Sequence, residues 1–296
     1  MYAARAQGEL KMWQDPIVAE TRALREKYAK QFNNDRVKIL ADIARMKLVS
    51  VIALIALAGC TATTGGSFDV IKSTELRDPS RERQIPITLY FPAPQRNCTD
   101  ARPCPVAFVS PGYGLLQTDY SFISKALVRS EYLVVAIQHE LPTDPALSKT
   151  GDLFTNRMPM WKRGVENIRF VKETLSRTYA AYDWPQLVLV GGSNGGDISA
   201  LALQDSPKLA TTLVTLDNRR YPLPRSDSIK VLSIRGSDFE ADAGVLPTAQ
   251  EKAASTCVTK IAGSRHNDMS DHGSAELQSK INTLILQFLK DGRCRA

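Results

Sequence analysis

The 296-residue chain has ordinary globular proportions, 43% hydrophobic and 23% charged residues, which excludes general disorder. Its formal charge of +7 is modest and spread along the chain, with no basic run dense enough for a nucleic-acid groove, so nucleic acid is not an expected partner. Two counts narrow the chemistry further. Three histidines, His139, His266 and His272, leave few general bases, and five cysteines leave at least one outside any set of pairs.

Residues 1–45 come first in chain order. Between Trp13 and Ala44 the sequence is charged and rich in helix formers, with Ile17, Leu24, Tyr28 and Phe32 at helical spacing. Asp15-Pro16 supplies a helix start, Asp as N-cap and Pro at the first helical position. The stretch 15–29 resembles a small, separately encoded helical protein of bacterial genomes, so residues 1–45 are expected to be an upstream reading frame, with translation starting at Met46; a real fusion with an internal signal is the alternative. Residues 46–59 change character: Met46-Lys47 precedes an apolar run that ends at Gly59. This run is shorter than the roughly 17–25 residues of a spanning helix and has the length and charge placement of a signal peptide. Leu57-Ala58-Gly59-Cys60 resembles a bacterial lipobox. Small residues there let a peptidase grip an extended backbone, and the Cys60 thiol would receive a diacylglyceryl group. Residues 60–80 are then the lipidated cysteine and a tether, and 81–296 the folded domain. The expectation is a protein of the bacterial cell envelope, periplasmic or outer-membrane-associated, whose membrane contact is a lipid anchor at Cys60. With Cys60 so used, four cysteines remain, and an oxidising compartment permits bridges. The expected pairs are Cys98–Cys104, which is local, and Cys257–Cys294. No Cys-x-x-Cys or His/Cys cluster suggests a metal.

From residue 85 onward, β-rich runs alternate with helical patterns. The spacing predicts strands over 85–91, 106–110, 133–138, 187–191, 212–217, 229–235 and 257–261, and helices over 120–129, 161–179, 197–204 and 276–289. Runs such as Leu133-Val-Val-Ala-Ile137 are apolar throughout, as in strands buried on both faces. The alternation predicts an α/β fold with a mostly parallel sheet. Residues 141–159 look irregular and are expected to form part of a substrate rim.

The segment Leu187-Val-Leu-Val-Gly-Gly-Ser-Asn-Gly-Gly-Asp197 runs strand, Gly191-x-Ser193-x-Gly195, helix. In that context it is a nucleophile elbow, with Ser193 on a tight turn above a helix N-terminus. Ser193 needs a base to take its proton. His139 lies upstream of the elbow, whereas the base comes last in the Ser–Asp–His chain order of such folds, so His139 is expected to be structural. His266 and His272 share the loop between the last strand and the last helix; His266, nearer the strand, is the expected base. A carboxylate should hold its ring, and Asp217, which ends the predicted strand 212–217, and Asp238, which follows the strand 229–235, compete for that place. Backbone N–H donors for an oxyanion are expected from Asn194 and from Tyr113 in the loop Ser110-Pro-Gly-Tyr-Gly114.

Taken together, Ser110-Pro-Gly-Tyr-Gly-Leu115, Leu133-Val-Val-Ala-Ile-Gln-His139, Gly191-Gly-Ser-Asn-Gly-Gly196, Leu216-Asp-Asn218 and Gly263-Ser-Arg-His266 resemble the α/β-hydrolase superfamily. Within it the chain is similar to the dienelactone-hydrolase and platelet-activating-factor-acetylhydrolase-like group. The resemblance implies an α/β-hydrolase fold with helices on both faces of the sheet. It also implies a Ser193–His266–Asp217 triad that cleaves small-molecule carboxylic esters through an acyl-enzyme, with no cofactor. Ser110 departs from the pattern, standing where many relatives carry His. A serine peptidase on the same fold, or a non-catalytic binding lipoprotein, are the alternatives.

Overall fold

A computed structural model of the chain describes residues 30–32, 35, 70–92, 98–251 and 255–293. The chain divides into two units, Met1–Gly66 and Ser67–Ala296, and everything below concerns the second. Cys60, the 46–59 segment and nearly all of residues 1–45 lie outside the described residues, as does Cys294. No helix among the described residues is long and apolar enough to cross a membrane.

Eight strands form one sheet: β1 (Val70–Asp78), β2 (Arg83–Phe91), β3 (Cys104–Ser110), β4 (Leu133–Ile137), β5 (Tyr182–Gly192), β6 (Thr212–Leu216), β7 (Lys230–Arg235) and β8 (Thr256–Lys260). Their spatial order is β1-β2-β4-β3-β5-β6-β7-β8. β1 and β2 pair antiparallel, as do β2 and β4; from β4 to β8 every pairing is parallel. Among the described residues, four α-helices pack on the sheet: α1 (Ser121–Arg129), α2 (Leu153–Thr178) and α3 (Asn194–Asp205) between strands, and α4 (Ala275–Asp291) after β8.

Strand alternation divides the core between two faces. Leu133, Val135 and Ile137 join Phe108, Leu189 and Leu213 in a cluster with Trp161, Ile168 and Val171 of α2 and Ile198 of α3. Val134 and Ala136 point the other way, joining Val109, Val190, Val214 and Ile234 against Ile123 and Leu127 of α1 and Ile281, Ile285 and Phe288 of α4. Successive strand side chains face opposite sides, so a run that is apolar at every position needs a helix layer on each face.

β5 begins at Tyr182, five residues before the expected 187, and two further elements differ from expectation. β1 falls within the stretch expected to be tether. It carries Lys72, Glu75 and Arg77 and is mostly exposed, because it is the outer strand and only one of its edges is paired. α2 begins eight residues before the expected 161 and runs through Pro159, which lacks the N–H for one helical hydrogen bond. Its start is set by Asp152, whose side chain accepts from the N–H groups of Phe154 and Thr155. Phe154 stacks on Tyr221, with ring centroids 5.7 Å apart, and meets Trp161 edge-on at 5.6 Å. These contacts hold the first turns in place despite the proline. Cys98 and Cys104 are disulfide-bonded across six residues, their Cα atoms 5.0 Å apart. Cys257 is also disulfide-bonded.

Candidate active site

Register brings the ends of the parallel strands to one rim. Ser110 pairs with Gly191, Gly192 with Leu216, and Leu216 with Ile234. The residues that follow each strand therefore emerge together, at the end of a doubly wound sheet where ligands bind.

β5 passes into α3 through Ser193, whose φ of 47° and ψ of −116° lie outside the regions that residues with side chains favour. Such a conformation costs about 1–3 kcal/mol and persists only where neighbours over-determine it. The Ser193 N–H donates to the Leu216 carbonyl at 2.8 Å, and the Ser193 carbonyl accepts from Gly196 and Asp197 N–H. The glycines are fixed by contact rather than by φ. A Cβ on Gly191 would lie 2.4 Å from the Gly195 carbonyl oxygen, and one on Gly195 would lie 2.2 Å from that of Ser110.

His266 opens a 3-10 turn in the loop after β8. Its Nε2 lies 2.9 Å from Ser193 Oγ, and its Nδ1 lies 2.5 Å from Asp217 Oδ2. A carboxylate only accepts, so Nδ1 carries the proton and Nε2 is free to accept from the serine hydroxyl. Asp217 follows β6 with φ 54° and is fully buried. Its Oδ1 accepts from Gly236 N–H at 3.0 Å and faces the buried Arg235 guanidinium at 3.0 Å. Burial alone raises the Asp217 carboxyl; the His266 hydrogen bond, Arg235 and Gly236 outweigh it and hold the group below its ordinary value. Asp238 is exposed and reaches the same histidine at its backbone, accepting from His266 N–H at 2.8 Å. The geometry thus brings Asp217 to the ring and gives Asp238 the loop.

The loop after β3 crosses directly above the serine: a Cβ on Gly112 would lie 3.4 Å from that of Ser193. The Tyr113 N–H donates to nothing among the described residues. Asn194 is the first residue of α3, so its N–H has no acceptor within the helix. The other acids of these loops have structural partners. Asp271 accepts from the N–H groups of Ser121 and Phe122 and so caps α1, and Asp268 pairs with Arg265.

Ser193 and His266 open onto a cleft of about 450 Å³ whose wall includes Tyr113, Arg157, Arg219 and Arg220. The three arginines went unnoticed in the sequence. Arg219-Arg220 directly follow a strand end beside Asp217, a position that points to the ligand crevice of such sheets. Arg157 had no local signal; α2 brings it there. Asp197, buried in the first turn of α3, accepts from the N–H groups of Arg220 at 3.1 Å and Tyr221 at 2.9 Å and docks that loop onto the elbow helix. Arg220 Nη1 donates to both oxygens of Asp242, whereas neither Arg157 nor Arg219 is ion-paired with a carboxylate among the described residues. Arg157 donates from Nε to the Ser148 carbonyl, and the Arg219 guanidinium lies 4.4 Å from the Phe239 ring centre. Burial and then the nearby Arg220 lower the Arg157 guanidinium from its ordinary value.

No protein-family model and no curated protein matches the sequence. Solved structures do match. Dienelactone hydrolase from Anabaena variabilis aligns with 75% of this chain and 98% of its own, at 14% identity and a TM-score of 0.54. Esterase 2 of Thermogutta terrifontis aligns over 75% and 94%, at 11% identity and 0.54. A predicted CIB-like hydrolase of Thermoplasma acidophilum aligns over 76% and 100%, at 12% identity and 0.52. With an eight-stranded, mostly parallel sheet flanked by helices and these α/β-hydrolase neighbours, the chain has the α/β-hydrolase fold.

Proposed function

We propose that the chain is a serine hydrolase of carboxylic esters. The observation that carries this reading is the unbroken line from Asp217 through the His266 ring to Ser193 Oγ, with steps of 2.5 and 2.9 Å. In this mechanism Ser193 Oγ attacks the acyl carbon while His266 Nε2 takes its proton. The tetrahedral oxyanion accepts from the Tyr113 and Asn194 N–H groups. His266 then protonates the leaving alcohol, and an acyl-enzyme remains. Water, deprotonated by His266, attacks the acyl carbon and frees Ser193. Asp217 keeps the ring in the correct tautomer and stabilises it when charged. Two of the proteins that share the fold are named as esterase and dienelactone hydrolase, and that esterase is phosphoramylated by tabun, an organophosphorus reagent.

The cleft supports a further statement about substrate. Arg157 and Arg219 place positive charge beside Ser193 with no carboxylate in ion-pair contact among the described residues, and the acids that act on Arg157, Asp197 on the cleft wall and Asp242, are engaged by the Arg220 loop. Like charges held together on a concave wall are stabilised by an anion, so an ester bearing a carboxylate fits this cleft better than a neutral one.

Hydrolysis of 4-nitrophenyl esters tests the assignment. Ser193→Ala should lower kcat/KM by on the order of 10⁴-fold or more, and Asp217→Asn kcat by on the order of 10⁴-fold. Asp238→Asn should cost less than about tenfold, because the asparagine oxygen still accepts from His266 N–H. Undiminished activity in Ser193→Ala would overturn the mechanism. A large loss in Asp238→Asn with little in Asp217→Asn would overturn the choice of acid.

A further inference from the structure

After a one-residue gap, β4 is followed by two residues that the mechanism does not use: His139, which is buried, and Glu140, which is partly buried. His139 Nε2 lies 2.8 Å from Ser110 Oγ, at the end of β3 where the loop carrying Tyr113 begins. The next residue, Glu140, accepts at Oε1 from Asn194 Nδ2 at 2.6 Å. The Asn194 side chain is held from its other end as well, its Oδ1 accepting from Trp161 Nε1 on α2 at 2.8 Å. The dipeptide is itself anchored. Arg83 of β2 donates to the His139 carbonyl at 2.7 Å and binds both oxygens of Asp144, at 2.8 and 2.7 Å. Asp144 in turn accepts from Leu141 N–H at 2.8 Å. One short, fixed segment thus touches both stretches of chain that bear the expected oxyanion donors. A buried polar network of this kind rigidifies the groups it joins; His139 Nδ1, Glu140 Oε2 and Arg83 Nε have no hydrogen-bond partner among the described residues.

We propose that His139 and Glu140 are positioning residues for ester hydrolysis, setting the Tyr113 loop and the Asn194 N–H on the two sides of the oxyanion. This rests on the reading above that those two N–H groups receive the oxyanion. The role is one of reach rather than charge. Burial, with Arg83 and Arg163 nearby, pushes His139 down to about 3, so its ring is neutral at working pH. Burial pushes Glu140 up to about 7 against the pull of its Asn194 hydrogen bond and Arg163, so the carboxyl holds its proton to a higher pH than an exposed glutamate. Either form still offers an oxygen to Asn194 Nδ2.

Two conservative variants separate reach from charge. Glu140→Gln keeps the length and the acceptor; Glu140→Asp keeps the carboxyl but is one methylene short. A misplacement of about 1 Å at a reacting centre costs about 10²-fold. On that basis Glu140→Asp should lower kcat by roughly 10–100-fold, with KM within about twofold, and weaken binding of a trifluoromethyl ketone by a similar factor. Glu140→Gln should stay within about threefold of the parent in both. Ser110→Ala, which removes the His139 contact, should lower kcat roughly tenfold, again with KM little changed. All rates are taken per folded molecule, with folding followed by circular dichroism. An active Glu140→Asp, a Glu140→Gln impaired more than Glu140→Asp, or variants that lose thermal stability but keep kcat would each overturn the proposal. Ser193→Ala, run beside them, separates the two readings. If it stays active, the catalytic mechanism falls. If it is inactive while Glu140→Asp and Ser110→Ala match the parent, only the positioning role falls.

Discussion

At the scale of single residues, the site is a set of side chains whose roles follow from what each one faces. Ser193 faces a ring nitrogen, and that ring faces a carboxylate held ionised by Arg235 and Gly236. Arg157 faces the cleft and other arginines, which makes it the most direct test of the substrate reading. A hydrogen bond to a charged group contributes about 1.5–3 kcal/mol. Arg157→Gln should therefore raise KM roughly tenfold or more for an adipate mono-4-nitrophenyl ester and leave 4-nitrophenyl butyrate unchanged. Equal effects on both esters would contradict an anionic substrate. Most of the reactive set was legible in the sequence. The Gly191-x-Ser193-x-Gly195 turn has a steric signature, and only three histidines compete for the base. The acid is not separable locally, because Asp217, one residue past β6, and Asp238, three past β7, both follow strands. Only the fold shows that one meets the ring and the other the backbone. Arg157, Glu140 and Trp161 reach the site by packing of α2 and β4, and no sequence spacing encodes that.

At the scale of elements, the strand β5, the turn at Ser193 and the helix α3 work as one device. The strand supplies a buried, rigid platform, and α3 puts an N-terminus with free N–H groups beneath the reacting oxygen. The fit against β3 leaves no room for a methyl group at Gly195, because the blocking atom is a backbone oxygen 2.2 Å from the added carbon. Gly195→Ala should destabilise the fold by about 3 kcal/mol or more, read as a lowered urea midpoint. A midpoint equal to that of the parent would show that the elbow is looser than described. The inner strands were legible because they are apolar on both faces. β1 was not, because an outer strand paired on one edge carries charge and loses the hydrophobic signal. The first turns of α2 were hidden for another reason. Pro159 argues against a helix, and the Phe154 contacts that compensate for it exist only where α2 meets the loop after β6.

At the scale of the whole molecule, the buried carboxyls give folding a distinctive pH dependence. Burial raises Asp197 to about 6 and Glu140 to about 7, both above their unfolded values. Between about pH 4 and those values the native state binds protons that the unfolded chain has released, so their contribution to stability falls as pH rises. Asp217 acts in the opposite sense: its lowered value gives stability that is present above the unfolded pKa and lost as pH falls through the folded one. The thermal midpoint of Glu140→Gln, relative to the parent, should therefore climb from about pH 4.5 to about 7.5. A difference that is flat across that range would contradict the burial of an ionisable group at that position. The central claim, that the molecule delivers one activated serine to its cleft, is tested most directly by intact-mass and peptide mapping of the folded protein after reaction with a fluorophosphonate. The account predicts one adduct per chain, on Ser193, formed far more slowly in His266→Ala. A folded protein that hydrolyses esters yet is unlabelled, or labelled at another residue, would contradict it.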